Sequence, residues 1–162
     1  MKKIVLMFVF VLSIVQIYSR NEEQEILAKF IITDATDNGI DVTPEIVKNQ
    51  VYTVFYTSGN DEFVYMANVA KVPNTQSFGP MYSVDSETYP ETDDRYRMDV
   101  FDFNWHYSNT YDTKKGTAKV KVTKIYKPQG VAFTLKIITE SLDIVIYRGY
   151  MEGTINFNEF NK

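Results

Sequence analysis

Cysteine is absent from this 162-residue chain, and histidine and tryptophan occur once each. Without thiols there are no disulfides, thiolate zinc sites, iron–sulfur clusters or cysteine nucleophiles. One histidine leaves little for an imidazole-built metal centre or a Ser-His-Asp arrangement, and no G-x-S-x-G elbow occurs. Glycine (7) and proline (5) are too scarce for a fibrous chain. Surplus positive charge is also missing: 17 Lys+Arg against 21 Asp+Glu leave a net charge of −4. Neutralising phosphates needs a basic surplus, so nucleic acid is not expected as a partner. What the chain does have is apolar and aromatic surface. Apolar residues make up 44% and aromatics 15%, with 12 Tyr and 11 Phe. That composition belongs to a folded globular protein, and the length suits a single core.

The first nineteen residues read as a secretory signal peptide. Met1-Lys2-Lys3 is a basic start, Ile4 to Ile17 is almost unbroken hydrophobe, and Ser19 offers a small residue for cleavage. The run is short for a membrane span, which needs roughly 20 apolar residues. Residues 1–19 are thus expected to be removed, leaving residues 20–162 as one secreted or periplasmic domain with no stable membrane span. Cleavage takes away Lys2 and Lys3 and no acids, so the remaining chain is more acidic than the whole. With no disulfides, its stability must come from the core.

Period-two alternation dominates after residue 50 and predicts strands. Val51 to Thr57 and Glu62 to Val72 form an expected hairpin around Ser58-Gly59-Asn60-Asp61, with Phe63, Tyr65, Ala67 and Val69 sharing a face. Met81 to Val84 reads as a short strand, and Asp85 to Asp94 as an acidic loop. In Arg95 to Tyr107 the apolar parity switches between Val100 and Phe101. A bulge, or a strand buried on both faces, produces such a switch. Ala118–Val122, Val131–Ile137 and Leu142–Tyr147 alternate cleanly around Lys127-Pro128-Gln129-Gly130 and Thr139-Glu140-Ser141, an antiparallel meander. Helix is expected only at Glu22–Phe30 and at Thr43–Asn49, where Thr is placed as N-cap and Pro44 at the first position. Eight or nine strands in sequential hairpins favour an antiparallel up-and-down β-barrel with one or two short helices; a β-sandwich is the alternative.

Phe30-Ile31-Ile32-Thr33 leads into Asp37-Asn38-Gly39-Ile40-Asp41-Val42-Thr43-Pro44-Glu45. A strand, an Asn-Gly turn, a Thr-led short helix and a strand hairpin follow in that order. Over residues 30–60 this resembles the opening of small secreted bacterial lipocalin-like proteins, which carry NG-x-D-(V/I)-T between the first two strands. Ala28-Lys29-Phe30 stands where lipocalins open on Gly-x-Trp. The resemblance implies an eight-stranded barrel of the calycin type around a cavity for a small apolar ligand, and it carries over no catalytic residue.

Several constellations invite chemistry. Asp34 to Glu45 partly matches a calcium loop, with Asp at position 1, Gly at 6 and Glu at 12, but Thr36 and Pro44 interrupt it. The acids of Asp85–Asp94 match no ligand spacing and read as a solvated loop. Asp99 and Asp102 could pair for acid–base work only if they face one way. His106 beside Trp105 reads as structural. The lysines from Lys114 to Lys127 read as guards on a strand's solvent face. Tyrosine lies on both strand parities, so some must line a cavity or an exposed face. The expectation is a non-enzymatic binding protein for a small apolar or amphipathic ligand. Its candidate wall is Tyr65, Met98, Phe103, Trp105, Phe133 and Tyr147, with no metal, cofactor or catalytic group. A glycan- or protein-binding module of the cell envelope, built on the sandwich, is the alternative.

Overall fold

A computed structural model describes residues 24–59 and 62–160, and the expected signal peptide, residues 1–19, lies outside them. The described strands are β1 (Gln24–Asp37), β2 (Ile40–Asp41), β3 (Val51–Ser58), β4 (Val64–Ala70), β5 (Thr75–Tyr89), β6 (Met98–Asn109), β7 (Lys115–Lys127), β8 (Gly130–Thr139) and β9 (Ile144–Gly153). One helix, α1 (Thr43–Lys48), precedes β3, and a 3-10 turn at Phe157–Phe160 follows β9. From β3 to β9 each strand pairs antiparallel with the next, and β1 pairs with both β3 and β9. The sheet closes on itself. β1 and β3–β9 form an eight-stranded up-and-down barrel, and β2 is a short extra strand folded back on β1. Closure overturns the sandwich alternative: the ladder between β1 and β9 joins what would be the two edges of an open sheet.

Register decides which side chains point inward, because a strand shows alternate residues to opposite faces. Phe55 stands opposite Ala28 and Met66; Phe103, Val120, Ile137 and Val145 form one row across β6–β9. Phe101, Val122, Leu135 and Tyr147 form the next. These residues, with Phe30, Ile32, Met81 and Trp105, make one apolar core. Burying side chains of this size is worth about 1.5–3 kcal/mol each.

At one end α1 covers the barrel, with Val42 and Ile46 packed on the core. The turn before β2 uses Asn38 at φ 48° and Gly39 at φ 83°, the left-handed pair that a two-residue hairpin needs. Pro44 stands in the first turn of α1, Glu45 near its start and Lys48 at its end, as the helix dipole favours. Thr43 is not the N-cap expected. Its hydroxyl accepts the Ala35 N–H at 3.0 Å, tying α1 to β1, while the Asp41 carboxylate accepts the Thr43 N–H at 2.9 Å.

Three local expectations are corrected and one is resolved. Gln24–Phe30, read as helix, is strand, because β1 is the stave that closes the barrel and its Ala28 and Phe30 are buried. The expected acidic loop is strand as far as Tyr89: Asp85 and Glu87 point outward while Ser86 stands in register with the inward Phe101. On β4 the inward residues are Val64, Met66 and Asn68, so the greasier-looking set that includes Tyr65 faces out. Of the two readings of the parity switch at Val100, the strand buried on both faces holds and the bulge does not, since the register of β6 with β7 runs unbroken. Both Val100 and Phe101 are buried there, on opposite faces.

Candidate functional site

Away from α1, the barrel interior is completed by a residue that is not on a strand. Phe157, on the 3-10 turn, is fully buried. Its ring lies 4.8 Å from Phe101, 5.3 Å from Phe55 and 6.1 Å from Phe103, centroid to centroid. The edge-on contact to Phe55 and the tilted one to Phe101 are favoured aromatic arrangements. The turn is tied to the wall by the Thr154 N–H, which donates to the Leu27 carbonyl at 3.2 Å.

Deeper in, the polar groups are satisfied. Trp105 donates its indole N–H to the Met66 carbonyl at 3.1 Å, and its ring packs 4.8 Å from Tyr107. Asn68 donates to the Tyr147 hydroxyl at 3.0 Å and stands 3.4 Å from the buried Thr53 hydroxyl. Burial pushes the Tyr147 phenol above its ordinary range, so it stays protonated. Among the described residues no buried side-chain nitrogen or oxygen lacks a partner.

One row beyond Phe101, toward the mouth, the inner face turns polar. Thr88, Asp99, Lys124 and Phe133 stand opposite one another across β5–β8. The Asp99 carboxylate accepts hydrogen bonds from Tyr126 at 2.6 Å and Thr88 at 3.0 Å, with Arg97 at 3.4 Å. The Tyr126 ring carries two cations, Arg97 at 4.6 Å and Lys124 at 4.9 Å. Burial alone would raise the Asp99 pKa, but these bonds and the Arg97 charge outweigh it and hold the carboxyl below its usual value. A carboxylate so depressed adds stability that is complete above its unfolded pKa near 3.9 and is lost as pH falls through the folded value. Asp99→Asn should therefore cost about 1–2 kcal/mol at pH 7. Relative to the unmodified chain it should cost progressively less as pH falls from 5 to 3. Urea titrations across that range check it, and a pH-independent difference would refute the assignment.

Of the six predicted wall residues, Phe103, Trp105, Phe133 and Tyr147 face the interior, and Tyr65 and Met98 do not. Tyr65 stacks on Tyr56 on the outer wall, ring centroids 5.4 Å apart. Met98 stands beside Ile125 on the outer face, at the base of a cleft of about 460 Å³ with Glu91–Tyr96 and Lys127. The interior groups missed by sequence are Phe157, Phe55, Phe101, Asp99 and Tyr126. Phe55 and Phe101 are masked by apolar neighbours, Val54 and Tyr56 in one case and Val100 in the other, and Phe157 lies outside any alternating run.

The chain matches no family model, no curated protein and no solved structure. Asp99 and Asp102 point to opposite faces of β6 and cannot work on one substrate as a pair. His106 is on the outer wall, 4.6 Å from Tyr82. Asp34 and Glu45 belong to different elements, with Asp34 bonded to Arg148 across the β1–β9 seam. No helix among the described residues is long and apolar enough to cross a membrane. At the mouth, the packed aromatic core lies under a rim of two cations, a phenol and a carboxylate.

Proposed function

We propose that this chain is an exported, non-enzymatic barrel that takes a small apolar or amphipathic molecule through the mouth filled by Phe157. One observation carries the reading: a single aromatic side chain, supplied by a four-residue turn and not by the sheet, completes the apolar interior. A ligand's apolar part takes the place of that ring against Phe55, Phe101 and Phe103. Its polar end meets Arg97, Lys124 and Tyr126 one or two rows above. Such a site needs little reshaping of the wall, since only the 3-10 turn moves. The lipocalin-like pattern of residues 30–60 is in keeping with this role, and export rests on the apolar run Ile4–Ile17.

The single tryptophan is an internal reporter, because Trp105 lies in the same core as Phe157. Titrating the protein with saturated fatty acids and with retinol is expected to change Trp105 emission in a saturable way. An Arg97→Ala, Lys124→Ala double substitution should weaken the fatty acids more than retinol, because only the former carry a carboxylate. Silence of Trp105 across the panel, in both the parent chain and Phe157→Ala, would discard the proposal.

A further inference from the structure

We infer that the outer wall of the barrel carries a second, independent site, built for a neutral saccharide. β5 contains a bulge: its register with β6 jumps from Tyr82 opposite Asn104 to Asp85 opposite Asp102. Ser83, at φ 52°, makes the bend. Bulges re-aim side chains and open the ladder locally. Here the outer face opens into a cleft of about 360 Å³ with Ser83, Asp85, Asp102, Asn104 and Lys119 around it. Phe103 and Val120 send their side chains inward, so their backbone is the floor.

Two features give the cleft its chemistry. The first is an unfavourable pairing. Asp85 and Asp102 stand directly opposite on adjacent strands, where like charges destabilise a sheet. Costs of this kind in an otherwise consistent fold fall at functional or strained positions. Lys121 offsets part of it, with its ammonium 3.0 Å from Asp102. With Lys119 on the same face, two carboxylates meet two ammonium groups, and the cleft is electrically balanced. An anion would face the carboxylates and a cation the lysines; a neutral ligand rich in hydroxyls satisfies both. The second feature is an aromatic edge. Tyr82, next to Asn104, lies between Phe63 at 5.0 Å and His106 at 4.6 Å, and Phe63 and His106 are exposed. The C–H face of a pyranose packs on such rings while its hydroxyls bond to carboxylate, amide and ammonium groups at the rim. The site lies on the opposite face of the sheet from Phe157, so it stands or falls separately from the barrel interior.

Calorimetry with maltotriose, cellotriose, laminaritriose, mannotriose and chitotriose tests the inference, with a sulfated trisaccharide for comparison. At least one neutral sugar should bind saturably at millimolar concentration or below, and more tightly than the sulfated one. Asn104→Ala and Asp102→Asn should each weaken it about tenfold, the loss of one good hydrogen bond to a charged or buried group. Both positions are on the outer wall, and an unchanged melting curve verifies folding. Lys48→Ala, on α1, should leave binding unchanged. No binding by any neutral sugar, preference for the sulfated one, or indifference to both cleft substitutions would overturn the site.

Discussion

Phe157→Ala is expected to destabilise the folded chain by about 3 kcal/mol, the lower part of the range for emptying a buried Phe site. It should at the same time create a binding site for apolar molecules. The lost ring leaves Phe55, Phe101 and Phe103 facing a void, and voids lined only by such side chains stay dry. A fatty acid or a small aromatic compound that fills the void returns stability by mass action, about 2.7 kcal/mol at a hundredfold excess over its dissociation constant. Urea unfolding with and without added ligand reads both effects. Under the proposed function the parent chain also gains stability, but less, because the ligand must first displace its own ring. An unchanged midpoint in Phe157→Ala would mean that the turn does not hold the interior closed.

The second large effect is expected at Gly149. This residue is on β9, opposite Ile32 of β1 on one side and Phe133 of β8 on the other. A Cβ there would lie 1.9 Å from the Ile31 carbonyl oxygen, a main-chain atom that cannot rotate away. Gly149→Ala must therefore force β1 and β9 apart. A cost of about 3 kcal/mol or more follows, at or above the top of the usual range for overpacking. The damage falls on the ladder that closes the barrel, so two strand edges open and aggregation on heating should accompany the lower melting temperature. Gly39 is the natural comparison. It also resists a side chain, at φ 83°, but nothing lies within 4 Å of its Cβ position. Gly39→Ala should cost about 1–2 kcal/mol, the left-handed backbone penalty alone. Thermal unfolding of the two variants side by side gives the order, and equal losses would show that the close approach at Gly149 relaxes.

Much of the barrel was legible because its hairpins are local. β7, β8 and β9 alternate apolar and polar residues around turns with strong Pro and Gly signals, and the structure keeps them as a meander. β1 was misread at its start because Glu22 to Phe30 has no turn signal or alternation; pairing with β3, and from Ala28 onward with the distant β9 as well, makes it strand. Faces were harder than strands. Tyr65 was placed inside because its parity set looks the more apolar, yet Met66 and Asn68 are the inward residues. Asn68 is tolerated there because Thr53 and Tyr147 complete its hydrogen bonds. Asp99 hid in the same way, as a carboxylate on an inward position whose partners Tyr126 and Thr88 come from the flanking strands. Phe157 follows the last strand in a segment with no period at all. Its role depends on a gap between Phe55, Phe101 and Phe103, which only the assembled wall defines.

The seam between β1 and β9 also says something about assembly in time. Every other ladder but that between β1 and β3 joins strands connected directly by one turn or short loop, so those pairs form at little cost in chain entropy. The seam alone brings Ala28 to Gly153. Its loop encompasses nearly the whole domain, and the entropy of gathering it cannot be recovered until the curved meander already holds both partners close. Folding should thus proceed as a ribbon that curls from its local pairs and is sewn shut last, with docking of the Phe157 turn dependent on that final stitch.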